Sequence, residues 1–300
     1  MEMSRRATQN SEVVSMPDAA GSTVPRRRLG RELQQLRDRS GLKVEDVAAS
    51  MRCSRSKIWR IESGRTPVRA VDVEKLCRIY KAPADLRKAL VALAGETDKP
   101  GWWHSYGDVI PEWFEVYVDL ESSASAMQIY EPELVTGLLQ LHGYAYAVLR
   151  TADVDEDEEE IERRVSVRLG RQVLLGRKQP PRLEVILNEA VVRRPVGGLA
   201  PMVRQLRHLM TLEHPNVSVR VLPFAAGVHA AMMGSFTYLQ FPERSEPDVI
   251  YHETRTGALY LSKPAERKPY RQMWRDIDER ALDVEASREF ISEAAKEFET

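Results

Sequence analysis

The chain has 300 residues, 43% hydrophobic and 30% charged, with 44 Lys/Arg against 45 Asp/Glu and a formal net charge of -1. That composition fits a globular protein of about two domains and excludes a disordered or collagen-like chain. No run approaches the ~20 apolar residues that span a bilayer, and the arginines near the start have no apolar stretch behind them, so no membrane segment or signal peptide is read and the expected compartment is the cytoplasm.

Charge is unevenly spread. Residues 1–100 hold 21 Lys/Arg and 13 Asp/Glu, whereas residues 101–300 hold 23 and 32. A basic front and an acidic back fit a nucleic-acid module joined to something kept off DNA. Cys53 and Cys77 sit in no metal spacing and read as reduced thiols.

Residues 1–24 are small and polar without periodicity, and read as a disordered arm. Arg26, Arg27 and Arg28 follow, a triplet suited to phosphate contacts. Leu29, Leu33 and Leu36 mark a first helix that Gly41 ends. Residues 43–65, KVEDVAASMRCSRSKIWRIESGR, read as two short helices about a tight turn. Val44, Val47, Ala48 and Met51 form the inner face of the first. Ser54 caps the second, Ile58 and Ile61 are its buried side, and Gly64 is its stop. The opposite side shows Arg55, Ser56, Lys57, Trp59 and Arg60, a cationic, hydrogen-bonding edge of the kind the major groove of DNA accepts. Lys43 and Val44 offer charge and backbone amides to a phosphate. Val73, Leu76, Cys77 and Tyr80 give a fourth helix; Pro83 starts a fifth, with Leu86, Leu90 and Leu93, that stops at Gly95. Residues 25–96 thus form a five-helix DNA-binding domain.

Residues 97–112 read as a linker or docking segment, with Trp102 and Trp103 either a partner anchor or inter-domain packing. Residues 114–127 look helical, as do residues 142–150. The acidic run 153–160 is a solvated helix start, not a metal site, followed by an inward row of Ile161, Val165, Leu169 and Val173. Leu183, Val185 and Leu187 alternate as a strand, residues 193–198 turn, and Met202, Leu206 and Leu209 make a helix. Strands at 216–222 and 236–241 flank a small-residue loop at 223–234. A hairpin at 248–261 and helices at 270–282 and 286–298 complete the chain. The expected class is α+β: the helical domain, then a mixed α/β domain at 113–300 with about five mostly antiparallel strands.

No nucleophile elbow, P-loop or zinc-ligand spacing occurs, so no catalytic residue, metal or cofactor is assigned and an enzyme is not expected. His229 in the 223–234 loop, with His252 and Glu253 in the following hairpin, are candidates for a ligand or partner site. Met232 and Met233 either adapt to a partner surface or fill core, and core filling is the expected reading.

Residues 43–65 resemble the helix-turn-helix of Cro/CI-type (Xre) regulators. That resemblance implies an ion pair between Arg37 and Glu62, tying two helices together, and DNA contacts at Lys43, Val44, Ser54, Arg55, Ser56, Lys57, Trp59 and Arg60. Arg52 stands where that family often has a turn glycine; a positive φ there costs on the order of 1 kcal/mol. Beyond the helices, GWWHSYGDVIPEWFEVYVDLE, EPELVTGLLQ, RRPVGG, VRVLPFAAGVH and GALYL are similar to the large uncharacterised C-terminal domain of an actinobacterial, antitoxin-like or developmental regulator family. The resemblance implies a transcriptional regulator of double-stranded DNA whose second domain receives a signal from a small partner protein encoded nearby. Because one module buries little DNA, a homodimer is expected. The alternative is a small-molecule sensor with a pocket at the 223–234 loop.

Overall fold

The computed structural model describes residues 24–96 apart from 63, 65 and 67, and residues 111–299 apart from 243–246. Trp102, Trp103, the arm expected at 1–24 up to residue 23, and most of the expected linker lie outside the described residues.

The first body of structure is helical: α1 (Val24–Arg39), α2 (Val44–Ser50), α3 (Arg55–Glu62), α4 (Ala70–Ile79) and α5 (Ala84–Glu96). The apolar spacings converge on one core, in which Leu29, Leu33, Val47, Ile58, Val73, Leu76 and Cys77 are wholly buried or nearly so. α1 lies so close to the end of α3 that a side chain on Gly30 would meet backbone: its Cβ would stand 2.5 Å from the Ile61 carbonyl oxygen. Gly41 follows α1 at φ 69°. α5 runs through Gly95 to Glu96 rather than stopping there. A glycine weakens a helix by about 1 kcal/mol but ends it only where the chain also turns to positive φ.

The second body is built on a six-stranded sheet. After α6 (Glu112–Ser123) come β1 (Ala126–Glu131), α7 (His142–Ala152), α8 (Glu158–Gly170), β2 (Arg182–Asn188), α9 (Glu189–Arg193), α10 (Leu199–Met210), β3 (Val217–Leu222), β4 (Phe236–Gln240), β5 (Val249–Thr254), β6 (Gly257–Leu261), α11 (Pro264–Arg280) and α12 (Val284–Glu297). Strand order is β3-β2-β1-β4-β5-β6. β1, β2 and β3 are parallel, and the β1–β4, β4–β5 and β5–β6 pairs are antiparallel. The class is α+β as expected, but the sheet is mixed and has one strand more than the sequence count. The added strand is β1, an interior strand of the sheet, where residues up to 127 read as a continuing helix.

Each face of the sheet has its own core, because side chains alternate along a strand. Met127, Ile129, Val185, Leu187, Val221, Leu239 and Tyr251 face one way, against Met202 and Leu206 of α10 and Ile291 and Ala294 of α12. Tyr130, Ile186, Leu222, Phe236 and Ile250 face the other way, against Trp274 and Ile277 of α11. α7 and α8 pair through Ala145, Ile161 and Val165. Val173, expected to extend that row inward, is 62% exposed. α8 ends at Gly170 and tightens into a 3₁₀ turn over Arg171–Leu174, which breaks the four-residue spacing. In the acidic run, Asp157 caps α8 by accepting from the Glu160 amide, while Arg164 gathers Asp153 at 2.7 Å and Glu156 at 3.2 Å.

Candidate nucleic-acid interface

α2 and α3 meet at a turn through Arg52, whose φ is 52°. A non-glycine residue therefore carries the left-handed conformation that the sequence left open. Ser54 starts α3, its Oγ accepting from the Lys57 amide at 3.2 Å. Ile58 and Ile61 turn into the core, which leaves Ser54, Arg55, Ser56, Lys57, Trp59 and Arg60 exposed together. The first turn of α3 carries no acidic residue, and the helix's one carboxylate, Glu62, is buried. The exposed edge of α3 therefore combines donors and positive charge and itself adds no carboxylate to repel phosphate.

Arg55 Nη1 lies 3.0 Å from Glu45 Oε1 of α2. The Glu45 carboxyl sits below the usual carboxylate range, held there first by its own backbone and then by Arg55. Lys43 is exposed beside α2, with its amide donating to Asp46 Oδ2 at 3.2 Å, while Val44 packs half-buried on the helical core. Arg28 is exposed as well, whereas Arg26 of the same triplet is buried and unavailable at the surface.

Behind α3 stands a buried polar triad. Arg37 Nε donates to both Glu62 oxygens at 2.8 and 3.0 Å, and Arg37 Nη1 donates to the Leu42 carbonyl at 3.2 Å. Tyr80, the residue that caps the end of α4, donates its hydroxyl to Glu62 Oε1 at 3.1 Å. The bond to Glu62 holds the Arg37 guanidinium above its ordinary pKa, and burial pushes the Tyr80 hydroxyl up, with the Glu62 charge adding. Three helices are thus joined at one carboxylate. The sequence marked Tyr80 only as an inward position, although a buried tyrosine's hydroxyl calls for a partner.

The other candidate residues do not form one site. His229 and His252 lie on the α11 side of the sheet, His229 edge-on to Tyr130 with centroids 5.7 Å apart and His252 4.9 Å from the Tyr270 ring. Glu253 points to the opposite face, where it accepts from Tyr251 Oη at 3.0 Å. Adjacent strand residues cannot share a face, so the expected grouping of His252 with Glu253 is corrected. Burial lowers both imidazoles below the ordinary histidine value. His229 Nδ1 and His252 Nε2 are buried without hydrogen-bond partners. The 223–234 loop folds into two 3₁₀ turns, Phe224–Ala226 and Ala230–Met233. Asp276 and Arg280 of α11 pin its backbone through Ala230 N and the Val228 carbonyl. An open groove of about 580 Å³ runs between this loop and α11. Met232 and Met233, expected in the core, are exposed, Met233 at 92%. The pinned backbone turns their side chains outward, on the same loop as exposed Phe224 and Val228.

Among the described residues, no helix is long and apolar enough to cross a membrane, and no group of three His, Cys, Asp or Glu is placed to hold a metal ion. Residues 28–90 match the family described as a helix-turn-helix domain, which points to a DNA-binding regulator. Neither a curated protein nor a solved structure matches the chain. Residues 114–293, more than half of the chain, match a second family, and the chain therefore belongs to the family described as a domain of unknown function, DUF5753.

Proposed function

We propose that the protein is a sequence-specific transcriptional regulator of the Cro/CI type, in which residues 25–96 bind DNA and residues 113–300 receive a signal. The observation that carries this reading is the exposed edge of α3, cationic and with no exposed carboxylate of its own, held on a triad of Arg37, Glu62 and Tyr80. α3 enters the major groove; Arg55, Ser56, Lys57 and Arg60 face base edges, Lys43 and Val44 meet phosphate, and Trp59 packs at the rim. Arg55 leaves Glu45 to engage a guanine, a bidentate contact worth about 1–3 kcal/mol of discrimination. The protein binds as a homodimer to two half-sites about one helical turn apart, with the second domain as the joint. The test is selection of bound fragments from sheared genomic DNA, followed by titration of the selected site and its single-base variants. Arg55→Ala is expected to flatten preference at one base position in each half-site; an unchanged preference removes Arg55 from the reading.

For the signal, the exposed Phe224, Val228, Met232 and Met233 favour a small partner protein, since several large apolar side chains exposed on one loop are a feature of interaction surfaces and methionine adapts to varied partners. One observation favours a small molecule instead: the unpartnered buried nitrogens of His229 and His252. Val228→Asp with Met233→Asp abolishes the response if a protein is sensed, whereas His229→Ala abolishes it if a metabolite is.

A further inference from the structure

We infer that the groove between α11 and the half-buried polar row of the sheet beside it is a binding site for a small organic anion bearing carboxylate or phosphate. Parallel strands are as a rule covered on both faces. Here α11 covers Tyr130, Ile186, Leu222, Phe236 and Tyr238 with Trp274 and Ile277, and on β1, β2 and β3 the next row back along the strands is only half-buried. That row crosses four strands in register: Ser218 on β3, Glu184 on β2, Gln128 on β1 and Tyr238 on β4. Every member is polar or carries a hydroxyl. Over it opens a groove of about 370 Å³, within the range of small-ligand sites.

The carboxylates around this groove are already engaged. Glu184 accepts from Gln128 Nε2 at 2.9 Å. Asp248 accepts from the Tyr238 hydroxyl at 2.7 Å, from Arg267 at 3.0 Å and from Arg271 at 3.2 Å. Asp278 accepts from Arg220 at 2.5 Å. The cations are in surplus. Arg182 stands 3.6 Å from Glu184, too long for a hydrogen bond, and is largely exposed. Arg275 lines the groove with no ion pair or hydrogen bond among the described residues. Arg182 is thus the cation at Glu184, Arg220 the one at Asp278, and Asp248 has both Arg267 and Arg271, so that with Arg275 five guanidinia meet three carboxylates about the groove. A guanidinium fork suits carboxylate and phosphate oxygens, and the amides of Gln128 and Gln240 add neutral donors and acceptors for the rest of such a ligand. The site is separate from the 223–234 loop and does not rest on the DNA-binding reading.

Calorimetric titration of the full-length protein with citrate, glucose 6-phosphate and inorganic phosphate at fixed ionic strength tests this site. At least one organic anion is expected to bind with a dissociation constant below 1 mM and at least tenfold more tightly than inorganic phosphate. Arg182→Gln with Arg275→Gln, both surface changes, is expected to weaken that binding at least tenfold while leaving the thermal midpoint in buffer alone unchanged. Absence of saturable binding by all three probes up to 10 mM overturns the proposal. So does a double variant that binds as the native chain does, or an organic anion held no better than inorganic phosphate.

Discussion

Replacing Arg37 by Met isolates the energetics of the triad behind α3. The Arg37 and Glu62 side chains are 12% and 6% exposed, so the substitution strands a buried carboxylate instead of loosening a surface pair. Breaking a buried pair on one side costs about 3–5 kcal/mol. Tyr80 still donates to Oε1, which places the expected loss near the lower end, about 3 kcal/mol. In a helical unit of this size, that lowers the unfolding midpoint by roughly 12–24 °C. The assay is thermal and urea unfolding followed by circular dichroism on the full-length chain, resolving the transition of the helical part. A triple variant, Arg37→Met, Glu62→Leu and Tyr80→Phe, leaves no stranded carboxylate or hydroxyl and is expected to recover most of the loss. The reasoning fails if Arg37→Met costs less than about 1 kcal/mol, the range of an exposed pair, or if it changes base preference at unchanged stability.

Three further outcomes follow from local geometry. Arg52 sits at φ 52°, so Arg52→Gly is expected to raise the unfolding free energy read from urea denaturation by up to about 1 kcal/mol, while Arg52→Ala, which keeps the strain, brings no such gain. Gly30→Ala drives a methyl against the Ile61 and Glu62 carbonyl oxygens and is expected to destabilise the helical core by about 1–3 kcal/mol in urea unfolding; a neutral result would mean α1 and α3 separate freely. Burial, with the Glu253 charge adding, pushes the Glu131 carboxyl at the end of β1 up to about 8 from an ordinary 4.5. The folded chain then keeps a proton that the unfolded chain releases, so this group's stabilising contribution is full below about pH 4.5 and lost as pH rises through 8. Urea midpoints between pH 5 and 9 should fall more steeply for the native chain than for Glu131→Gln, and parallel curves would refute the assignment.

The helical part was legible because its signals are local. Leu29, Leu33 and Leu36 share a face by spacing alone, and Gly41 and Gly64 mark chain reversals at positive φ. What escaped depends on contacts distant in sequence. Tyr80 reaches Glu62 across 18 residues, and Gly30 is required by the backbone of α3 rather than by anything near it in the chain. β1 was hidden because six residues, AMQIYE, follow α6 after a two-residue gap and bury side chains on both faces of the sheet, which removes the polar alternation of a half-exposed strand. Met232 and Met233 show a different limit. An irregular loop has no period to separate inside from outside, and their exposure is set by Asp276 and Arg280 on a helix some 45 residues later. The split of His252 from Glu253, by contrast, was available from strand alternation alone.

The most direct test of the central claim is fluorescence-anisotropy titration of the purified protein with its selected operator and with a scrambled duplex of equal length, at 50 to 200 mM salt. The account predicts operator binding at least about a thousandfold tighter than scrambled binding at the upper salt concentration. Both affinities should fall with salt, and Lys57→Ala should reduce the salt slope without erasing the preference. Equal affinity for the two duplexes throughout, with the expected partner protein present or absent, would contradict it.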